Sequence, residues 1–491
     1  MNPAVWLLRH AAKLRLHAMP VNAGSVRPAP SAGKTEASAQ ALSGGGRSVR
    51  ERLEATLGRQ PEALSPRALR RALGDLRAII DPRVSEVEGG RRAQQTAAWY
   101  ATAPAAERHD FWLLMSEQFV ADQELAKVAQ AHYAAAVGTS DEAVAEVRLR
   151  RATVSPRRRL LQRFSVFPDG IRFLVDLRAE MLPSLKVDKR LQALDVEMEY
   201  MFSTWFDVAF LELRRISWDS PASMIEKLIK YEAVHDIRSW DDVKNRLDSD
   251  RRCYGFFHPR LPEEPLIFVE VALMDQIADS ITPLLDEGAA PADLDRATTA
   301  IFYSISNTQS GLRGVSFGDS LIKRVVETLK EEFPRLRTFV TLSPIPGFRP
   351  WLQKNVPAML EQLGERQKSE LGRAAGGAKL TAESLLAAIE KPLDLALKSP
   401  LRQFLLSCAA HYLGREQQQG KPADPVARFH LGNGARVERL NWGGDPSAKG
   451  LKQSYGVMVN YLYDLKRLDK HRSQLAQGKV PISGAIEELY F

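Results

Sequence analysis

The sequence predicts an α+β protein in two parts, a helical bundle followed by a domain built on a central mixed sheet. Three observations carry this. Over residues 48–200 apolar side chains return at helical spacing, as in Leu69, Leu73 and Leu76, or Phe111, Leu114 and Phe119, the period of helices with one apolar stripe. From about residue 201 strand-like runs begin to alternate with helical ones. Over 300–342 a strand, a helix and a second strand follow one another, which reads as a βαβ unit or an α+β relative of one.

In chain order, residues 1–46 form a basic tail. Arg9, Lys13, Arg15, Arg27 and Lys34 precede the first acid, Glu36, in the manner of an organelle transit peptide or of a disordered arm. Gly, Ser, Ala and Pro dominate 24–46 and cannot bury enough surface to order that stretch. The helical domain spans 47–200, with Ser65-Pro66 reading as an N-cap followed by proline in the first turn. The run Arg157, Arg158, Arg159 reads as a solvated helix face, with phosphate binding as the alternative.

The sheet domain spans 201–485. Strands are expected at 265–274, 300–308 and 338–342, and a helix at 319–333 carries Leu321, Ile322, Val325, Val326 and Leu329 on one side. Further helices are expected near 350–363 and 380–413. Near the C-terminus 426–431 and 435–442 read as two strands of a hairpin around Asn433-Gly434, residues that tolerate positive φ.

The whole chain has 491 residues, 68 basic against 60 acidic side chains, 44% apolar and 26% charged residues. That balance excludes a largely disordered chain or a fibre. The net charge of +8 is spread along the chain, so no nucleic-acid partner is expected. No window approaches 18 uninterrupted apolar residues, so no membrane span is expected either. Two cysteines, Cys253 and Cys408, stand far apart, which points to a reducing compartment without a disulfide framework or structural zinc. Histidines lack ligand spacing, so no metal site is expected.

Chemistry is expected in three places. The segment 309–320 joins a strand to a helix and holds Gly311, Gly314 and Gly318; it reads as a phosphate cradle at a helix N-terminus, or as an ordinary turn capped by Asp319. Within it Gly314-Val315-Ser316-Phe317-Gly318 matches a nucleophile elbow, but Ser316 stands too far past the strand. In 342–348, Ser343-Pro344 and Ile345-Pro346 hold the backbone extended, fixing Ser343 at the carboxyl end of a strand, either as a site residue or as a plain turn. His430 lies just before Asn433-Gly434, and Tyr461 and Tyr463 follow; packing roles are the alternative for all three.

Several runs together resemble the malonyl-CoA decarboxylase family: Tyr231-Glu232-Ala233-Val234-His235, Phe302-Tyr303-Ser304-Ile305-Ser306, Leu321 through Val326, Leu342 through Phe348, Phe429-His430-Leu431 and Asn460-Tyr461. The resemblance implies a helical oligomerisation domain and a GNAT-like catalytic domain. It implies a coenzyme A loop at Arg313, Gly314, Val315, Ser316, Phe317, Gly318 and Asp319, catalytic roles for Ser343 and His430, and a substrate-binding role for Tyr463. Malonyl-CoA would be the substrate, His430 would protonate the enolate left by CO2 loss, and no cofactor would be needed. The implied assembly is a homo-oligomer, in the cytoplasm or, if the tail is a transit peptide, in the mitochondrial matrix; no peroxisomal Ser-Lys-Leu ends the sequence. The rival readings are an acyl-CoA thioesterase using Ser316 and a basic helical scaffold for RNA or acidic proteins.

Overall fold

The computed structural model describes residues 47–59, 62–317, 321–377 and 380–490. The tail 1–46, with its expected disorder, lies outside them.

Among the described residues nine helices come first: α1 (Val49–Glu54), α2 (Pro66–Ile80), α3 (Glu86–Thr102), α4 (Ala105–Glu117), α5 (Gln123–Ala136), α6 (Glu142–Thr153), α7 (Pro156–Phe164), α8 (Gly170–Met181) and α9 (Gln192–Trp205). Ser65 caps α2 by accepting from the Ala68 amide, with Pro66 in the first turn, as the sequence predicts. Helix α4 is the axis of the bundle, buried without a break from His109 to Ser116. Its Asp110 accepts both Nη atoms of Arg52, at 2.6 and 2.7 Å, and the Leu64 amide at 2.9 Å. A buried carboxylate is tolerable only when paired and hydrogen-bonded in this way.

The arginine run is not uniformly solvated. Arg157 is buried and donates to the carbonyl oxygens of Met115, Ser116 and Ala193. These atoms lie at the C-terminal end of α4 and in α9, so the side chain ties α7 to both helices. Helices α5 and α6 pack on each other and bury only Ala129 and Ala145.

The sheet domain follows: β1 (Glu212–Ile216), α10 (Ala222–Tyr231), α11 (Trp240–Arg246), β2 (Arg251–His258), β3 (Leu261–Met274), β4 (Thr299–Asn307), α12 (Leu321–Glu332), β5 (Thr338–Thr341), β6 (Ser343–Pro344), α13 (Phe348–Glu361), α14 (Glu365–Ala374), α15 (Ala382–Ala388) and α16 (Pro400–Gly414). A small ribbon, β7 (Gln417–Gln418) with β8 (Lys421–Pro422), leads to α17 (Pro425–Gly432), β9 (Arg436–Asn441), α18 (Ala448–Ser454), β10 (Met458–Leu462), α19 (Leu468–Ala476) and α20 (Gly484–Glu487). The strands order as β1-β2-β3-β4-β5-β10-β6, with β9 on β10. Among the described strands the pairings are antiparallel except that of β4 with β5. The expected strand–helix–strand unit is therefore β4-α12-β5, with the five predicted α12 residues buried.

Two features of this sheet position the site. First, β4 pairs with β5 only over Thr299–Phe302, although its pairing with β3 runs on to Asn307. A bulge at Tyr303 turns β4 away, and residues 303–307 are left with one edge unpaired. Bulges bend a strand in this way. Second, β10 enters between β5 and β6, pairing Leu462 with Val340 and Val459 with Ser343.

The expected hairpin at 426–442 is corrected. Residues 425–432 form helix α17, because Asp424 accepts from the Val426 and Ala427 amides at 2.9 and 3.0 Å and Pro425 fills the first turn. Gly434, at φ +86°, ends that helix: its amide donates to Leu431 O and the Ala435 amide reaches back to His430 O, the closure that a left-handed glycine permits. Only β9 is a strand, and its partner is β10.

Candidate active site

Ser343 and His430 meet. Ser343 opens β6 two residues after the last pair of β5 with β4, and its Oγ lies 3.3 Å from His430 Nε2 and 2.9 Å from Thr341 Oγ1. On the opposite side of the ring His430 Nδ1 lies 2.7 Å from the Tyr463 hydroxyl. The ring is stacked on Tyr461, with centroids 4.8 Å apart, and Phe302 of β4 packs edge-on against Tyr463. The four polar side chains Thr341, Ser343, His430 and Tyr463 thus form one row where the two parallel strands part.

Burial sets the electrostatics. His430 is 3% exposed, and desolvation of its charged form moves its pKa down to about 3. The resting imidazole is therefore neutral at physiological pH. The Tyr463 hydroxyl is pushed well above its ordinary value by the same burial, so it stands as a phenol able to donate to Nδ1, which leaves the ring proton on Nε2 facing Ser343.

Each member is held by backbone geometry. Thr341 Oγ1 accepts from Ser343 Oγ and from the Tyr461 amide at 3.1 Å. Asn460 donates to Thr341 O at 2.7 Å, locking β10 to β5. Asp424, fully buried, caps the helix of His430 and also accepts from the Gly347 amide in the loop that follows Ser343. Sequence reasoning missed Thr341 and Asp424. The signal for Asp424 was present: Asp424-Pro425 is the same cap-and-proline pair as Ser65-Pro66. Nothing local marked Thr341, whose role depends on β10 arriving beside it.

The predicted coenzyme A loop is built by close contact with the helical domain. A Cβ on Gly311 would stand 1.9 Å from the Val175 carbonyl oxygen, so only glycine lets the loop lie against α8. Arg178 of that helix, 1% exposed, donates from Nη1 to Gly311 O and Arg313 O at 2.7 and 2.9 Å, while Asp195 accepts from its Nε. Gly314 takes φ +82°. Arg313, Gly314 and Ser316 lie at the surface, whereas the side chains of Val315 and Phe317 are buried. Gly318 and Asp319 lie outside the described residues. The Ser316 amide faces Ser203 Oγ of α9, and the residue stands nine positions beyond the end of β4, so the elbow geometry is absent. Among the described residues no cluster of potential ligands could hold a metal ion, and no helix is long and apolar enough to cross a membrane.

Comparison with known proteins agrees with this architecture. A family model for the malonyl-CoA decarboxylase C-terminal domain matches residues 209–490, and one for the N-terminal domain of that family matches 119–206. The mitochondrial malonyl-CoA decarboxylase of Anser anser anser is 38% identical over 335 residues, 66% of each chain. That of Rattus norvegicus is 39% identical over 336 residues, 66% of this chain and 68% of its own. The aligned stretch thus spans about two thirds of these relatives. Crystal structures of malonyl-CoA decarboxylases are similar over 86% of this chain: that from Rhodopseudomonas palustris at TM-score 0.73, 39% identity and 99% of its own chain, and that from Cupriavidus metallidurans at 0.70, 44% and 100%. With its sheet domain matched from end to end and both domains recognised in order, this chain belongs to the malonyl-CoA decarboxylase family.

Proposed function

We propose that this chain is a carboxy-lyase converting malonyl-CoA to acetyl-CoA and CO2, with Ser343 and His430 as its catalytic residues. The observation that carries the proposal is the row Ser343 Oγ, His430 Nε2, His430 Nδ1 and Tyr463 OH, spaced at 3.3 and 2.7 Å, beside the opening between β4 and β5. The free edge of β4 takes the amide-bearing arm of the thioester as an added strand would be taken. The phosphates lie on the loop 313–319, where the exposed Arg313 supplies positive charge.

Loss of CO2 leaves the electron pair of the broken C–C bond shared between the α-carbon and the thioester oxygen. Ser343 binds the malonyl head and donates to that developing oxyanion, a contribution of about 3 to 4 kcal/mol for one well-aimed donor. The carbon then takes a proton from His430. The neutral ring suffices, because a thioester enolate carbon is a far stronger base than an imidazole nitrogen. As Nε2 gives up its proton, Tyr463 passes its own to Nδ1; a solvent proton then returns to Nε2 and Nδ1 hands its proton back to the Tyr463 oxygen, restoring both groups. The electron pair ends in a new C–H bond, so neither oxidant nor cofactor is required. Proton transfer of this kind contributes on the order of 10²- to 10⁴-fold.

Incubation with malonyl-CoA is expected to release CO2 and acetyl-CoA in equal amounts. His430→Asn is expected to abolish turnover with coenzyme A affinity retained, and Ser343→Ala to lower kcat about 10²-fold. Free coenzyme A as the product would select the thioesterase instead.

We further propose that the chain is a homo-oligomer assembled through the α5–α6 hairpin, which exposes Leu125, Val128, Val144 and Val147. Sedimentation of Leu125→Asp/Val128→Asp is expected to show a smaller particle. For the compartment we propose the cytoplasm, supported by the free cysteines Cys253 and Cys408; the goose and rat relatives are mitochondrial by name, and import of a tagged chain into mitochondria would overturn this.

A further inference from the structure

A cleft of about 1010 Å³ opens in the helical domain, between the C-terminal end of α2 with its following turn and the α6–α7 junction. Six arginines line it, Arg77, Arg83, Arg151, Arg158, Arg159 and Arg163, against two carboxylates, Asp81 and Glu86. Three of the cations are engaged: Arg83 forks onto Asp81, Arg158 pairs with Glu197 at 2.8 Å, and Arg163 Nη1 lies 3.0 Å from Glu86. The side chains of Arg77, Arg151 and Arg159 make no ion pair or hydrogen bond among the described residues. The cleft therefore holds a surplus of unpartnered positive charge.

Its floor is built rather than incidental. Arg163 is 6% exposed and its Nε has no hydrogen-bond acceptor, although a buried donor ordinarily finds one. Gly89 and Gly90 of α3 leave room for Arg163 and Val166: a Cβ on Gly89 would stand 3.1 Å from Arg163 Cδ, and one on Gly90 would stand 2.7 Å from Val166 Cγ1. Ile80, Val154 and Val166 add apolar wall beside the guanidinium groups.

We propose that this cleft binds a phosphorylated organic anion of nucleotide size, at a site separate from the active site. Planar guanidinium forks match phosphoryl oxygens two at a time, several converging arginines suit more than one phosphoryl group, and the apolar wall takes a ring. The volume is that of an ordinary small-molecule pocket. Gly311 and Arg313 are held by Arg178 of α8, and neither a residue of α8 nor any of 311–317 lines the cleft, which sets it apart from the proposed coenzyme A loop. The run 157–159, expected as a solvated face with phosphate binding as the alternative, is divided: Arg157 holds the bundle together, while Arg158 and Arg159 line the cleft.

The test uses the full chain, with a fluorescent ATP analogue and inorganic pyrophosphate as probes, titrated at low and physiological salt. Both are expected to bind the wild type, more weakly as salt rises. Arg77→Ala/Arg151→Ala/Arg159→Ala is expected to weaken both at least 10-fold while leaving its melting temperature and its KM for malonyl-CoA unchanged. Arg151→Glu, a single exposed change, serves should the triple variant fail to fold, and is expected to weaken binding in the same direction. Failure of the wild type to bind either probe at millimolar concentration would overturn the proposal, as would undiminished binding by both variants. A change in sedimentation on removing these charges, without probe binding to the wild type, would make the cleft a seat for a second copy and equally overturn it. Probe binding, melting temperature and sedimentation do not depend on which reaction the chain catalyses.

Discussion

Asp424 accepts a hydrogen bond from the Gly347 amide at 3.4 Å while capping the helix that carries His430. Gly347 lies four residues after Ser343, so one buried carboxylate ties together the two segments whose side chains must meet across 87 positions. Asp424→Ala leaves the amides of Val426 and Ala427 without their acceptor, and an unsatisfied cap costs about 1 kcal/mol, rising toward 3 when the donors are buried. We expect a lower melting temperature and a fall in kcat of at least 10-fold. Asp424→Asn, whose amide oxygen still accepts, is expected to recover most of both. An Ala variant with wild-type kcat would show that the cap does not position the site.

Tyr463 touches the far nitrogen of His430, so Tyr463→Phe removes one hydroxyl and little volume. The prediction is a kcat lowered by about 10²-fold, with KM for malonyl-CoA nearly unchanged because the group stands behind the ring. A rise in KM at constant kcat would instead make Tyr463 a substrate contact, the role that the family resemblance implies for it.

The pH dependence follows from the downward shift of His430 to about 3 from 6.5. Because the ring is neutral throughout the working range, kcat/KM is expected to stay level from about pH 5 to 8, without the break near 6.5 of an ordinary histidine. Stability carries the complementary signature. Below pH 6.5 the unfolded chain takes up a proton that the folded chain refuses until about 3, so folding weakens as pH falls through that window and is indifferent above it. This one residue contributes a slope of up to about 1.4 kcal/mol per pH unit. Denaturant titrations between pH 4 and 6 are expected to show a shallower slope for His430→Asn than for the wild type.

Gly311→Ala drives a methyl group into the Val175 carbonyl, 1.9 Å from the ideal Cβ position. Either the loop or α8 must shift, at a cost of about 1 to 3 kcal/mol. The KM for malonyl-CoA is expected to rise at least 5-fold with a smaller effect on kcat, read in steady-state assays. Arg178→Met, which removes the donors to Gly311 O and Arg313 O, is expected to act in the same direction.

Whatever is settled within a turn or a strand is legible in the order of residues alone. Ser65-Pro66 starts α2, the apolar period of α12 and the alternating texture of β4 and β5 place the βαβ unit, and two prolines hold Ser343 extended. The pairing of Ser343 with His430 came from the family resemblance, not from their spacing. Tertiary structure decided the rest. Residues 426–431 carry a pattern that suits a strand, yet Asp424 and Gly434 close them into a helix that turns His430 inward. Arg157 reads as a surface charge until α4 and α9 bring three carbonyl groups to it. The neutrality of His430, the support from Thr341 and the grip of Arg178 on the glycine loop likewise depend on segments far apart in the chain. Local hydrogen bonds form among near neighbours and leave their mark in short runs of residues. Desolvation and long-range pairing exist only once the sheet has closed around β10.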